Sequence, residues 1–444
     1  MDRRDFLKTS AAAAATAGLA ACGVPKTEDK GASVDSAAEI SGEMLQNYPG
    51  IGALGFGCMR WPMTKDAEGN EVIDQEKVNE MVDKALEYGV NYFDTSPVYL
   101  RGESERASAI ALNRHPRDKW LLATKLSNFA DAGYDNSVLM YRRSLEIFNT
   151  DHIDYYLLHS IKSAKDFKER FEDTGILQFL QKEREAGRIR HLGFSIHSQQ
   201  EGFEAMMDAH AKYHWDFVQI QMNYLDWTHA GGRNINAKYL YEELAARDIP
   251  VVIMEPLRGG ALGSLPKRLS EQLKAIEPDR SIASWAFRFC GSFPKVLTTL
   301  SGMTYMEHLE DNLRTFCGFK PLNESEFELL EKIADEHTRF PLVGCTGCQY
   351  CMPCPYGINI PGVFRFYDES ITEGTYVSGP EQEKYARARR RYLARYNEAV
   401  ESVRQADHCI SCGQCTPHCP QHIRIPRELR RIDAYIESLK QETL

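Results

Sequence analysis

From Ile51 to about Phe319 the chain alternates one pattern: a short β-branched or aromatic run, then an amphipathic run of helical period. The strand-like runs fall at 54–60, 92–96, 120–126, 153–159, 191–195, 217–223, 251–255 and 296–300. Helix-like runs follow at 76–88, 104–113, 137–148, 176–185, 201–212, 237–247, 282–289 and 306–315. Eight such units within about 270 residues suit an α/β fold of the closed (β/α)8 type better than a six-stranded open sheet. Closure also leaves no strand edge to protect. A barrel of this kind does its chemistry at the C-terminal ends of its strands, so polar residues there need explaining.

Such residues are present. Asp94 ends the second strand and Tyr99 follows in the loop; Lys125 ends the third strand and His159 the fourth. A lysine inside Leu121-Leu122-Ala123-Thr124-Lys125-Leu126 and a histidine behind Tyr155-Tyr156-Leu157-Leu158 are each costly to bury without partners. One alone could be a satisfied core residue. Four ionisable groups at one mouth point to chemistry.

Phe93-Asp94-Thr95-Ser96 with Tyr99, Thr124-Lys125 and Leu158-His159 resemble the Asp/Tyr/Lys/His tetrad of the aldo-keto reductases. Gly187-Arg188-Ile189-Arg190-His191-Leu192-Gly193-Phe194-Ser195 is similar to that family's entry into the fifth strand. Gln219 with Asn223, Glu255-Pro256-Leu257 with Gly259-Gly260, and Gly302 with His308-Leu309-Glu310-Asp311-Asn312 extend the match. The resemblance implies a barrel with Tyr99 as proton donor to a carbonyl oxygen, Lys125 favouring developing phenolate, Asp94 holding the lysine and His159 orienting the carbonyl. It implies NAD(P) contacts at Ser195, Gln219, Met254, Pro256, Leu257, Gly302, His308 and Asn312. Three departures stand out: Met254 takes the place of an aromatic residue under the nicotinamide, Ile196 replaces an asparagine after Ser195, and Met303-Thr304-Tyr305 brings no cation after Gly302.

Of the 12 cysteines, eight form two runs. Cys345, Cys348, Cys351 and Cys354 are spaced by two residues, and Pro355 follows. Cys409, Cys412, Cys415 and Cys419-Pro420 have the bacterial iron–sulfur spacing. Zinc and, in an exported chain, disulfides are the alternatives. The runs resemble those of two-cluster bacterial ferredoxins. That resemblance implies two 4Fe–4S clusters with crossed ligands: Cys345, Cys348, Cys351 and Cys419 for one, and Cys409, Cys412, Cys415 and Cys354 for the other. Each run is followed by an Ile-x-Ile-Pro phrase, which suggests a duplicated unit. Cys58, Cys290 and Cys317 read as small hydrophobes.

The N-terminus carries Arg3-Arg4 before Phe6-Leu7-Lys8 and an alanine-rich stretch, and resembles a twin-arginine export signal. Leu19-Ala20-Ala21-Cys22 resembles a lipoprotein box, or Cys22 is an incidental small residue near a cleavage site. The expected layout is an export signal over 1–25, a tether over 26–46, the barrel over 47–320 and a ferredoxin-like iron–sulfur domain over 321–444. The expected destination is the periplasm or cell envelope, with a lipid at Cys22 as the only membrane contact.

The balance of 53 basic and 63 acidic side chains, a net charge of −10, argues against a nucleic-acid partner. The basic stretches 387–395 and 424–431 read as solvated helix faces. The expected function is an exported oxidoreductase acting on a small-molecule substrate and passing electrons through the clusters to a redox partner protein. Hydride moves as an electron pair and a cluster passes single electrons, so a converter is needed, and no flavin signature is visible. The competing expectation is an electron-transfer or scaffold subunit whose barrel binds another ligand.

Overall fold

A computed structural model describes residues 48, 50–232, 234–345, 347–419 and 423–444. The export signal, Cys22 and the tether lie outside the described residues. Eight parallel strands close into a barrel: β1 Leu54–Gly57, β2 Tyr92–Asp94, β3 Leu121–Leu126, β4 Ile153–Ile161, β5 Ile189–Ile196, β6 Phe217–Gln221, β7 Val251–Met254 and β8 Val296–Ser301. Sequence neighbours pair throughout, and β1 closes the ring against both β2 and β8. Every expected strand is present. The first ends early, because Cys58–Arg60 turns into a short 3-10 helix as the chain leaves the barrel.

The period of two along each strand explains both the core and the site. Tyr92, Ala123, Tyr155, Leu157, Phe217 and Val252 fill the barrel interior. Two residues further on, the same strand faces carry Asp94, Lys125, His159, Gln219 and Met254. The alternation that packs the core thus delivers polar groups to the mouth. Gly193 makes room for this packing: a Cβ there would stand 2.8 Å from the Phe217 ring.

Around the strands run α1 Gln75–Glu87, α2 Glu103–Leu112, α3 Tyr134–Phe148, α4 Ile176–Glu185, α5 Gln200–Tyr213, α6 Ala237–Ala246, α7 Ile282–Gly291 and α8 Met306–Cys317. The first illustrates the logic: Val78, Met81, Val82 and Ala85 form its buried stripe, and Asp74 caps it by accepting from the Lys77 N–H. A hairpin, Met63–Lys65 with Glu71–Ile73, is an addition to the expected elements. Its turn is built on Asp66, which accepts from the backbone of Glu68 and Asn70.

The chain divides into two compact units. The first is the barrel, through Gly263 and again from Ala283 to Glu331; the second is Ser264–Ile282 with Lys332–Leu444. α9, Glu324–Arg339, carries the chain from the first into the second.

In the second unit α10 Ile360–Thr372, α11 Tyr385–Ala399 and α12 Ile425–Gln441 pack together, and a further helix spans Lys267–Lys274. Phe364, Tyr367, Tyr392, Tyr396, Ile432 and Leu439 are buried between the first three. The two Ile-x-Ile-Pro phrases each start a helix, Pro361 opening α10 and Pro426 opening α12, where a missing N–H costs nothing. Ser264–Ile282 adds Arg268, which pairs with Glu336, donates to Ser378 and lies over the Tyr376 ring. No helix among the described residues is long and apolar enough to cross a membrane.

Within the barrel unit, Arg288 of α7 is buried against Glu326 at the start of α9 through two contacts of 2.9 and 3.0 Å. Removing one partner of a buried pair strands the other charge. Glu326→Ala is therefore expected to lower barrel stability by about 3 kcal/mol in urea unfolding.

Candidate active site and cysteine module

Lys125 is fully buried, and its ammonium donates to Asp94 Oδ1 and to the Thr95 carbonyl, each at 2.7 Å. It stands 4.8 Å from the centre of the Tyr99 ring. The second oxygen of Asp94 is buried without a partner among the described residues. Burial works against the Lys125 charge, and Asp94 and Tyr99 more than offset it, so the ammonium is held above its ordinary range. For Tyr99 the order is reversed: burial lifts the phenol, and Lys125 offsets only part of that lift.

His159 faces Tyr99 edge-on, with ring centres 5.7 Å apart. Its Nδ1 is engaged by the Ser127 hydroxyl at 2.6 Å and the Ser96 hydroxyl at 3.3 Å. That engagement leaves Nε2 as the nitrogen to face a substrate. Burial first, then Lys125 and Arg170, push the imidazole well below its usual range, so it is neutral at physiological pH. Arg170 braces this corner by donating to the His159 carbonyl at 3.0 Å and stacking on Phe129, which flanks the imidazole. Ser96, Ser127, Phe129 and Arg170 were missed by sequence reasoning; the Ser127-Asn128-Phe129 run directly after the third strand was the available signal.

The expected cofactor contacts separate into groups. Ser195 and Gln219 are register partners on adjacent strands. Ser195 Oγ accepts from the Ser160 N–H at 2.8 Å, and Gln219 Nε2 donates to Met254 Sδ at 3.7 Å. Gln219 Oε1 is buried with no partner among the described residues, an orphan acceptor fitted to a carboxamide N–H. Ile196 is buried, and His197, the possible substitute for the missing asparagine, contacts Asn234 Oδ1 at 3.2 Å.

Pro256 and Leu257 lie in the loop after β7, where Glu255, Arg258, Gly259 and Gly260 are all left-handed and the Glu255 carboxylate accepts the Gly259 N–H. Asn312 is committed to Ser301 Oγ at 2.9 Å, and His308 stands edge-on to Tyr305. Gly302 lies against the stem of Arg60: a Cβ there would be 3.2 Å from Arg60 Cδ. One Arg60 guanidinium nitrogen is also 3.8 Å from the Cβ position of Gly259. Arg60, in the loop after β1, thus brings a cation beside Gly302, which linear reading had no means to see.

In the second unit, Cys345, Cys348, Cys351 and Cys419 line one cavity, together with Ile360 and Phe364. The charge neighbours of Cys345 are Asp368, Cys348 and Cys419, those of Cys351 are Cys345, Cys415 and Cys348, and those of Cys415 are Cys409 and Cys412. Among the described residues no three His, Cys, Asp or Glu side chains converge on a point that one metal ion could occupy. The four thiols that line the cavity are ligands of the kind that hold an iron–sulfur cluster. Both loops carry left-handed residues, Gly347 and Gln349 in the first and Ser411 and Gly413 in the second, as in backbone nests that hold anionic clusters. Asp368 of α10 accepts from the backbone of Val343, Gly344 and Cys345 at 2.7, 2.9 and 3.4 Å, fixing the entry to the first loop. Cys58 and Cys290 are fully buried, and burial pushes both thiols up, as inert core cysteines require.

Two outcomes follow from this geometry. The folded pKa of His159 lies below its unfolded value of about 6.5, so its contribution to stability is full above that pH and is lost as pH falls below it. Unfolding free energy should decline on acidification below about 6.5, and His159→Gln should flatten that decline. Asp368→Ala frees three N–H groups at a cost of about 1–3 kcal/mol. It should speed iron loss to a chelator, with Asp368→Glu intermediate.

Comparison with known proteins agrees with this architecture. The Aldo/keto reductase family matches residues 53–335, the 4Fe-4S dicluster domain residues 344–424, and the TAT (twin-arginine translocation) pathway signal sequence residues 1–20. The uncharacterized oxidoreductase YqkF of Bacillus subtilis is 25% identical over 311 residues, covering 63% of this chain and 92% of the relative. An aldo-keto reductase from Bacillus halodurans superposes with a TM-score of 0.51 at 22% identity, over 63% of this chain and 91% of that one. An aldo/keto reductase from Klebsiella pneumoniae, solved with NADP and acetate, gives 0.50 at 20% identity, over 64% and 92%. The chain is thus an oxidoreductase exported by the twin-arginine route, with an iron–sulfur domain C-terminal to its barrel, and it belongs to the aldo/keto reductase family.

Proposed function

We propose that the barrel binds a nicotinamide dinucleotide, acts on a small carbonyl or alcohol substrate, and exchanges electrons with a redox partner protein through two 4Fe–4S clusters. The observation that carries this reading is the buried Lys125 ammonium held between Asp94 and Tyr99 beside a neutral His159. Asp94 keeps the ammonium charged and pointed at the tyrosine. Tyr99 then has a cation at hand to stabilise phenolate as its proton passes to a carbonyl oxygen. His159, neutral and anchored through Nδ1, offers Nε2 to the same oxygen. Ser195 and Gln219 would hold the carboxamide, Met254 would pack on the ring, and Arg60 would meet the phosphates. When bound, the nicotinamide gives or takes the hydride.

The clusters are assigned crossed ligands, Cys345, Cys348, Cys351 and Cys419 for one and Cys409, Cys412, Cys415 and Cys354 for the other. The shared cavity supports the first set. The pair-to-single electron conversion falls to the substrate or the partner. The site of action is the periplasm or cell envelope, with a lipid anchor at Cys22.

A second reading, a non-catalytic electron-transfer or scaffold subunit, draws on Ile196 and on the Glu255 carboxylate. The latter occupies the Gly259 N–H in a loop that would otherwise face phosphate. The readings part on one variant. Tyr99→Phe should reduce carbonyl turnover by about 10²–10⁴-fold with cluster absorbance unchanged. Turnover retained in the variant rules out the acid role, and a wild-type protein that fails to bind NAD(P)H on titration favours the subunit reading.

A further inference from the structure

The stretch 424–431 reads from sequence as a solvated basic helix face, and the structure divides it in two. Arg431 is turned inward, donating to the Tyr367 hydroxyl at 2.6 Å and to the Pro341 carbonyl at 3.0 Å, and it also pairs with Glu428. Arg424, Arg427 and Arg430 are exposed, and among the described residues their side chains take part in no ion pair or hydrogen bond. Spacing of three sets them along the start of α12, with Arg424 at its N-cap and Arg427 and Arg430 on the face opposite the buried Leu429 and Ile432. The row begins at the cysteines, because Arg424 sits between Ile423 and Ile425, both of which line the cavity of Cys345, Cys348, Cys351 and Cys419.

Large apolar side chains also stand out of the cysteine loops. Tyr350, between Cys348 and Cys351, is 69% exposed, and Ile410, between Cys409 and Cys412, is 61% exposed. In each loop the most exposed thiol, Cys348 or Cys412, is within two residues of that side chain. Apolar tips at a redox centre, with a charged row that starts next to its cavity, are the anatomy of a transient protein interface, where apolar contact shortens the electron's path and charge sets orientation and encounter rate.

We infer that the cysteine-loop face of the second unit, with the row Arg424, Arg427 and Arg430, docks a one-electron carrier protein whose contact face is acidic. This rests on the reading that the module holds redox-active clusters. Three unpaired guanidinium groups in a chain of net charge −10 call for an anionic counterpart. An anionic bilayer offers the same charge, but it would cover the apolar tips and the exposed thiols through which electrons leave. The exposed loops therefore favour a protein.

The test uses the exported holoprotein, purified and reduced anaerobically, with flavodoxin as an acidic acceptor and cytochrome c as a basic one in stopped-flow mixing. Transfer to flavodoxin is expected to slow as salt is raised. At low salt it should fall about tenfold or more in the double variant R427E/R430E, while transfer to cytochrome c rises. Midpoint potentials and EPR signals of the clusters should match wild type. Flavodoxin rates insensitive to salt and to the double variant overturn the surface while leaving the clusters in place. So does a variant that loses binding to phosphatidylglycerol vesicles but transfers electrons to flavodoxin at the wild-type rate. A wild-type protein without reducible clusters overturns the reading beneath it.

Discussion

The charge of Lys125 has no water to solvate it; it survives because Asp94 and the Thr95 carbonyl stand 2.7 Å away. That arrangement requires β2 and β3 to be in register, both strands to turn the same face inward, and the residues beneath to fill the barrel floor. Tyr92 below Asp94 and Ala123 below Lys125 meet those requirements. The cost of an unpaired buried ammonium also disciplines the loops, for Tyr99 must return over the ion pair after the strand has ended. Site and core are therefore one packing problem, solved by a single alternation.

The second unit obeys a different constraint. Its thiols must surround an inorganic volume, so short loops replace regular elements and the helices supply the rigidity. Aromatic packing among α10, α11 and α12 gives the loops a fixed floor, while Asp368 and the two proline-led helix starts set where each loop begins and ends. The short step from Cys351 to Cys354 is accommodated in this frame, and Cys419 from the distant run reaches the cavity of the first.

Features that depend on local period were legible in the sequence. The eight strands show as β-branched runs because both faces of each are buried, and the tetrad stands out as polar residues at their ends. Features made by distant parts of the chain were not legible. Arg60 meets Gly302 and the Gly259 loop only once the barrel closes, and Asp368 reaches back more than twenty residues to the Cys345 turn. The grouping of Ser264–Ile282 with the cysteine-rich unit has no compositional mark. The exposed hairpin at Met63–Lys65 escaped notice because neither strand buries a face, although its Asp66 to Asn70 turn chemistry was visible.

The central claim is that one exported chain carries both a nicotinamide site and iron–sulfur clusters. Free dinucleotide is not expected outside the cytoplasm, so the cofactor must be loaded before export and held tightly, which the twin-arginine route permits for a folded protein. The most direct measurement is anaerobic purification after native export, followed by iron and sulfide analysis and mass spectrometry of the extracted small molecules. The account predicts iron and sulfide for two 4Fe–4S clusters together with a nicotinamide dinucleotide. Clusters with no nicotinamide, in a protein that takes up none on titration, would contradict it.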